Sequence, residues 1–225
     1  MRDIPASIVV SKLKRRLWST HRAVVVSRNL QEKPSLPVDS LRVEFVDPEA
    51  FDELPGLVEQ ATGVEYLYLR PIERARQARA GTISVARDTA GELVAFHFVH
   101  ETHDHAALDS VAPQMYPVLP EDGVLTEEVY CLPAHRGRGL AATLLQATGV
   151  LLLERGKRRA SAYLDTTNLA ALRMFNRAGY RPTGEERVDR YRGGRFDTLF
   201  RAATPLTLSE WDATVGAAPE REVKV

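Results

Sequence analysis

A short turn between residues 131 and 143 has the composition of an anion-binding site. Gly137 and Gly139 lie between a strand-like run that ends at Leu132 and a periodic apolar segment that begins at Leu140. Glycine lets a ligand approach the backbone closely, and the first amides of a helix lack partners and lie at its positive end. The sequence therefore predicts that residues 136–141 bind a phosphate or diphosphate.

Two other types of phosphate-binding loop do not fit this turn. A Walker loop requires Gly-Lys followed by Ser or Thr, and that tripeptide is absent from the chain. A dinucleotide-binding loop requires Gly-x-Gly-x-x-Gly followed by an acidic residue that binds ribose. A phosphate site at residues 136–141 would therefore belong to neither of these two classes of loop.

Residues 136–141, Arg-Gly-Arg-Gly-Leu-Ala, resemble the Arg/Gln-x-x-Gly-x-Gly/Ala signature of the GCN5-related N-acetyltransferase (GNAT) superfamily. A second segment, Asn168–Tyr180, is similar to the Asn-x-x-Ala-x-x-x-Tyr-x-x-x-Gly-Phe/Tyr element of the same family, with matching spacing. The resemblance covers about residues 41–202. It implies an α/β fold with a mixed, mostly antiparallel sheet, a splayed central strand pair and flanking helices.

The resemblance also implies a co-substrate and the residues that bind it. In this family the turn binds the pyrophosphate of acetyl-CoA, and the splayed strand offers its backbone to the pantetheine arm. An extended arm with two amides suits unpaired strand N–H and C=O groups. The implied cofactor-binding residues are Val129, Cys131, Arg136, Gly137, Arg138, Gly139, Leu140, Ala141 and Asn168.

Two adjacent glutamates on the strand before the turn are candidates for the catalytic base. Many members of the family use a glutamate near this position to take a proton from the acceptor amine. Alternation along the strand predicts that Glu127 and Glu128 face opposite sides of the sheet, and we prefer Glu128. Phe175 stands where the family often has a tyrosine that protonates the CoA thiolate, so water or Tyr180 would have to replace that donor.

Composition limits the other classes of function. Formal net charge is zero, so no overall field favours nucleic acid. Cys131 is the only cysteine, and no apolar run approaches the roughly 20 residues of a membrane span. We expect a cytoplasmic protein, with a homodimer left open.

The histidines at 97, 100, 103 and 105 invite a metal hypothesis, but the odd spacing of the first two along a strand argues against a site, and we expect no metal.

The pattern of elements predicts an N-terminal extension and linker over 1–40, a core domain over 41–203 and a C-terminal tail over 204–225. The extension contains a predicted helix over 7–17 and a strand over 23–27. The core begins with a strand over 41–46, a helix that Pro55-Gly56 breaks or bends, and a helix over 65–80. A hairpin over 82–100 follows, and the long loop over 101–123 is predicted to form a wall of the acceptor site.

These features predict an enzyme, a GNAT-type N-acetyltransferase without a metal. An amine of a small molecule or peptide would attack the thioester of acetyl-CoA directly, or of a CoA donor with a longer acyl chain. The alternative is a non-catalytic CoA-binding module, for which Phe175 is the main argument. Nothing in the sequence identifies the acceptor.

Overall fold

The computed structural model describes residues 18–61, 79–111, 118–192 and 195–204, with single residues at 69, 72, 73, 76, 116, 209, 211 and 213. The predicted helix over 7–17 lies outside this part of the chain, and so does most of the predicted helix over 65–80. Of the latter, Leu69 and Ile72 are buried in the core.

Within the residues that the structure describes, eight strands form one sheet: β1 Trp18–Asn29, β2 Arg42–Val46, β3 Thr82–Arg87, β4 Leu93–His100, β5 Gly123–Cys131, β6 Arg159–Asp165, β7 Arg181–Arg192 and β8 Arg195–Ala202. Their order across the sheet is β2-β3-β4-β5-β6-β1-β7-β8. All neighbours are antiparallel except β5 and β6, which are parallel. This confirms the predicted mixed, mostly antiparallel sheet.

Four α-helices are seen in the described part of the chain: α1 Glu53–Gln60, α2 His105–Val111, α3 Leu140–Glu154 and α4 Leu169–Arg177. Short 3-10 turns precede several elements, at Val38–Ser40, Pro48–Ala50, Thr102–Asp104 and Pro133–His135. None of the helices in the described part of the chain combines the length and the apolar character that crossing a bilayer requires.

The N-terminal strand β1 lies inside the sheet, whereas the sequence assigned its residues to an extension. Residues 23–29 pair with β6 on one side, and most of β1 pairs with β7 on the other. The segment assigned to an extension therefore lies in the middle of the sheet, where Val24 and Val26 are fully buried. Sequence periodicity identified a strand here, but it carries no information about which distant strand is its partner.

Two helical elements also differ from the prediction. Pro55-Gly56 does not break the helix, because α1 begins at Glu53 and so places Pro55 in its first turn, where the missing amide has no intrahelical partner anyway. Residues 102–111, predicted as loop, form a 3-10 turn and α2. A capping box starts them: Asp104 Oδ2 accepts a hydrogen bond from the Glu101 amide at 2.7 Å.

The sheet is packed on both faces. Helices α3 and α4 cover one face, with Leu145, Leu152, Leu172 and Phe175 in its core. Helix α1 packs on the other face against side chains of β3 and β4, chiefly Phe96 and Phe98. Trp211, which lies in the predicted C-terminal tail, is buried in the core of the α3 face. Because alternate strand residues face opposite sides, each strand residue can be assigned to one of these two environments.

A chain of polar side chains connects α3 to the strands beneath it. His97 Nε2 lies 3.0 Å from Thr148 Oγ1, which lies 2.6 Å from Ser84 Oγ, and His97 Nδ1 lies 3.2 Å from the Phe98 carbonyl oxygen. A neutral imidazole satisfies both of its contacts by donating from Nδ1 and accepting from the Thr148 hydroxyl at Nε2, and the Ser84 hydroxyl can then donate to Thr148. Burial lowers the pKa of His97 to about 4, so the ring stays neutral near pH 7.

We expect the His97→Gln variant to lose less stability in acid than the wild-type protein. Because the folded pKa of His97 lies below its unfolded value, its stabilising contribution is complete above about pH 6.5 and falls as the pH decreases towards 4. The loss reaches on the order of 3 kcal/mol at pH 4. Urea denaturation at pH 7.5, 6 and 5 measures the free energy of unfolding of both proteins.

The exposed His103 provides the control, because His103→Gln should keep the wild-type pH dependence. The comparison with wild type is necessary because Glu127 and Glu128 also titrate. Their raised pKa values make the fold more stable as the pH falls, which opposes the effect of His97. If His97→Gln retains the full acid-dependent loss, the neutral buried histidine is not its source.

Candidate active site

The parallel pairing of β5 with β6 is short. It joins Gly123, Val124 and Leu125 to Arg159, Ala160 and Ser161, although both strands continue for several residues. Beyond this point β6 pairs only with β1, and β5 only with β4. The two strands therefore separate, which confirms the predicted splayed central pair, and leave facing backbone groups without a strand partner.

A β-bulge interrupts β5 within the splayed region. Phe98 is paired with Glu127 and Phe96 with Tyr130, so one residue of β4 faces two of β5. Glu128 has a φ of +50°, which is rare for a residue with a side chain and costs on the order of 1 kcal/mol. Bulges re-aim side chains next to functional sites. Here the bulge also ends the simple alternation that predicted the orientations of Glu127 and Glu128.

Glu127 lies on the α1 face of the sheet and is nearly enclosed. Its Oε2 is 3.6 Å from His100 Nε2, and Tyr116 donates a hydrogen bond to its carboxylate. Desolvation and the neighbouring Glu128 raise its pKa to about 7, although the Arg187 charge and the Tyr116 hydrogen bond oppose the shift. The pKa of His100 is lowered by burial to about 4, so this ring is neutral beside Glu127.

Glu128 differs from Glu127 in its contact with solvent. The residue is exposed, yet desolvation by the surrounding protein raises its pKa to about 7 as well. An exposed carboxylate keeps part of its hydration, so we regard the enclosed Glu127 as the more strongly perturbed group. A carboxylate with a pKa near 7 can both accept and release a proton at neutral pH.

The turn after β5 has the backbone geometry that the sequence predicts. Gly137 and Gly139 have φ values of +75° and +79°, and a Cβ atom on Gly137 would meet nothing within 4 Å. Within the described part of the chain, the amides of residues 137–141 make no hydrogen bond. Five consecutive free amides at the start of α3 form a concave site for an anion. The residues present therefore fit a diphosphate.

Three arginines surround this turn. Arg136 Nε donates to the Cys131 carbonyl oxygen at 2.9 Å, which ties the turn to the end of β5. Arg138 Nη1 lies 3.3 Å from His135 Nδ1. Arg177, which the sequence did not single out, comes from the last turn of α4, and its Nη1 would lie 2.8 Å from a Cβ on Gly139. The first turn of α3 carries no acidic residue, so the local charge favours an anion.

The second sequence motif meets the turn at the same edge of the sheet. Strands β5 and β6 are parallel, so their carboxyl ends lie side by side, and α4 begins directly after β6. Asn168 caps α4 by accepting a hydrogen bond from the Ala171 amide at 3.1 Å. Phe175 and Tyr180 pack edge to face in the core, where the Tyr180 hydroxyl lies 3.3 Å from Thr126 Oγ1.

The structure brings most of the predicted site residues to one region, since Glu127, Glu128, Val129 and Cys131 follow one another along β5 and the turn starts just beyond them. It adds Tyr116, His100, Tyr163 and Arg187 around Glu127. Tyr116 comes from the loop that the sequence assigned to the acceptor site. Tyr163 and Arg187 lie on strands, where no local signal distinguishes them from core or surface residues. The sequence singled out His100 only as a member of the histidine cluster.

A search of protein families matches residues 51–180, more than half of the chain, to the acetyltransferase (GNAT) family. The chain belongs to this family. No curated protein matches it significantly. This confirms the family that the sequence resembles. Membership of the family does not identify the acceptor or the acyl group of this protein.

Two solved structures illustrate the likeness of fold. One is a GCN5-related glucosamine N-acetyltransferase region of a fungal multi-domain GH3 β-N-acetylglucosaminidase, with a TM-score of 0.54 and 16% identity over 88% of this chain. This chain spans only 23% of that protein. The other is AAC(6')-Ib in complex with paromomycin and acetyl-CoA, with a TM-score of 0.50, 12% identity, and coverage of 76% of this chain and 97% of that one.

Gly139→Ala should weaken CoA binding by about tenfold or more. The added Cβ is strained at a φ of +79° and would displace the Arg177 guanidinium, so the turn must change shape. Isothermal titration calorimetry with CoA measures the dissociation constant. Gly91→Ala is the matched control, since Gly91 also has a positive φ of +86° but lies in the β3–β4 turn with open space around it. Equal CoA affinity in both variants would exclude the turn as the binding site.

Proposed function

We propose that this GNAT protein transfers the acetyl group of acetyl-CoA to an amine of a small-molecule or peptide acceptor, by direct attack of the amine. The observation that carries the proposal is the row of five free amides, 137–141, at the end of the strand that bears Glu127. An anion site and a perturbed carboxylate on one strand, beside an interrupted strand pair, suit a phosphorylated donor with a reactive end.

In this proposal the residues that hold acyl-CoA fall into two groups. The amides of residues 137–141, with Arg136, Arg138 and the cap residue Asn168, bind the diphosphate end. The β5 backbone at Val129 and Cys131 faces the pantetheine arm. The Cys131 carbonyl already accepts a hydrogen bond from Arg136, so its remaining lone pair is the one available. Bound acyl-CoA supplies the acyl group as a thioester.

We assign the role of general base to Glu127 rather than Glu128. An acceptor ammonium, with a pKa of about 10, has no free lone pair at neutral pH and must lose a proton before it attacks. Glu127 is enclosed, ordered by Tyr116, and has a pKa near 7, whereas Glu128 is exposed at the bulge. The overall reaction converts the ammonium and the thioester into an amide, free CoA thiol and one released proton.

Protonation of the departing thiolate cannot involve Phe175, which has no ionisable group and is buried against Tyr180. The Tyr180 hydroxyl is deeply buried, and burial raises its pKa, so it stays protonated but is a weaker acid than an exposed tyrosine. Water is the alternative donor. This departure from the family's usual tyrosine is also the observation that favours a second function, a CoA-binding module without catalysis.

We propose the cellular location and the acyl group of the donor from the sequence. A cytoplasmic location would give access to acetyl-CoA. Acetyl is the proposed acyl group, with a longer acyl chain as the alternative. A series of acyl-CoA donors of increasing length, assayed with one acceptor, decides between the two acyl groups.

The Glu127→Gln variant should reduce kcat by roughly 10² to 10⁴, the usual contribution of a general base. In the wild-type protein, kcat/KM should increase as the pH rises through about 7, because Glu127 must be ionised to accept a proton. That step should disappear in Glu127→Gln. Thiol release from acetyl-CoA, measured with a panel of amines between pH 5.5 and 9, reports both quantities.

Two further variants complete this experiment. Glu92→Gln lies in an exposed turn and should behave as wild type. Glu128→Gln should retain most of the activity, and a larger loss there than in Glu127→Gln would transfer the role of base to Glu128. CoA binding without amine-dependent thiol release in the wild-type protein would support the non-catalytic module instead.

A further inference from the structure

A buried arginine lies on the same face of the sheet as Glu127. Arg187, on β7, is only 5% exposed, and its guanidinium carbon is 5.2 Å from the centre of the Tyr163 ring. The register pairs Arg187 with Ala23 on β1 and with Phe200 on β8. The Phe200 ring in turn lies 5.4 Å from the Tyr163 ring, centre to centre. A buried guanidinium needs partners for its charge and its five N–H groups.

The partners that the fold provides leave part of this guanidinium available. Arg187 Nε donates to Asp189 Oδ1 at 2.8 Å, and Thr198 Oγ1 donates to the same oxygen at 2.8 Å. Within the described residues, the Nη groups of Arg187 make no further hydrogen bond. Two adjacent N–H groups of a guanidinium match the two oxygens of a carboxylate.

Strand register places this cation on the far side of the gap from the proposed base. Leu125 and Ser161 form the last β5–β6 pair. Glu127 and Tyr163 each lie two residues further along, so they face one another across the opening on the same face of the sheet. Arg187 packs on Tyr163, and its charge acts on both Glu127 and Tyr116. Glu127, Tyr163 and Arg187 thus lie on one face of the sheet in that order, and we call this group of side chains the charged recess.

An acceptor with a single positive charge would use only the Glu127 end of this recess. We propose, as an extension of the function proposed above, that the acceptor is an amino acid or a similar amine that also carries a carboxylate, and that Arg187 binds this carboxylate. The ammonium then lies at Glu127 and the carboxylate at the Nη groups, with Tyr163 between them. The product is an N-acylated amino acid, formed with free CoA thiol and one released proton.

Matched acceptors test the proposal in the wild-type protein. Each of a series of α- and ω-amino acids is compared with its own carboxamide, which has nearly the same size and an amine but no negative charge. We expect kcat/KM to be roughly 10- to 100-fold higher for the carboxylate of the preferred pair, the range expected for a charge-assisted bidentate contact. Equal or better use of the carboxamides would overturn the proposal.

Variants of Arg187 then locate the effect. Arg187→Gln should remove the preference by lowering kcat/KM more for the carboxylate than for the carboxamide, measured at about pH 9, where Glu127 stays ionised without the Arg187 charge, and Arg187→Lys should restore part of it. Arg190→Gln is the control, because Arg190 lies on the same strand but on the opposite face. Equal losses of kcat/KM for the carboxylate and the carboxamide would assign Arg187 a structural role. The double variant Arg187→Gln/Asp189→Asn tests whether a loss comes instead from leaving Asp189 without its partner.

Failure of this proposal is distinguishable from failure of the proposed function. Thiol release that prefers uncharged acceptors rejects only the carboxylate-binding role of Arg187. Calorimetric binding of CoA without thiol release from any amine rejects the transferase itself.

Discussion

The interrupted pairing of β5 with β6 is the constraint on which the site depends. Three residues of parallel pairing hold the strands together at one end, and their separation beyond that point leaves backbone donors and acceptors facing a gap. Such groups are costly to bury without partners, so a ligand with amides and carbonyls of its own has a clear energetic advantage there. The bulge at Glu128 adds to the separation by bending β5 away from regular pairing.

The electrostatic arrangement follows from this separation. At the carboxyl end of β5, free amides and three arginines favour negative charge. Further back along the strand, Glu127 is desolvated and lies next to a second glutamate, so it holds its proton more tightly than a solvated carboxylate would, although the Arg187 charge and the Tyr116 hydrogen bond oppose this shift. A donor with a negatively charged end and an acceptor with a positively charged amine thus meet opposite charges at the two ends of one strand.

Much of the architecture could be predicted because it depends on local patterns. The hairpin strands Thr82–Arg87 and Leu93–His100 have the limits of the predicted hairpin over 82–100, and α3 begins at Leu140, where the periodic apolar segment begins. The turn glycines were also visible, because positive φ values and free helix amides are consequences of short-range sequence. At this turn, the approach of Arg177 to Gly139 is the main feature that the sequence does not indicate.

The remaining features depend on contacts between distant residues. Nothing local to residues 23–29 indicates that they pair with both β6 and β7. The positive φ of Glu128 is equally hidden, since glutamate is an unusual residue for that conformation. Arg187 and Tyr163 lie 24 residues apart in sequence and meet only through strand order, so the charged recess beside Glu127 could not be anticipated. Local sequence therefore predicted the backbone of the glycine turn better than the surroundings of Glu127.

The central claim is that the amides from residue 137 to residue 141 bind the diphosphate of CoA. Titration of the isotope-labelled protein with CoA, followed by amide NMR spectroscopy, tests it directly. The account predicts large, saturable shifts for the amides of Gly137 and Gly139 and none for Gly91, which lies in the remote β3–β4 turn. Saturable CoA binding that leaves the Gly137 and Gly139 amides unchanged would contradict it.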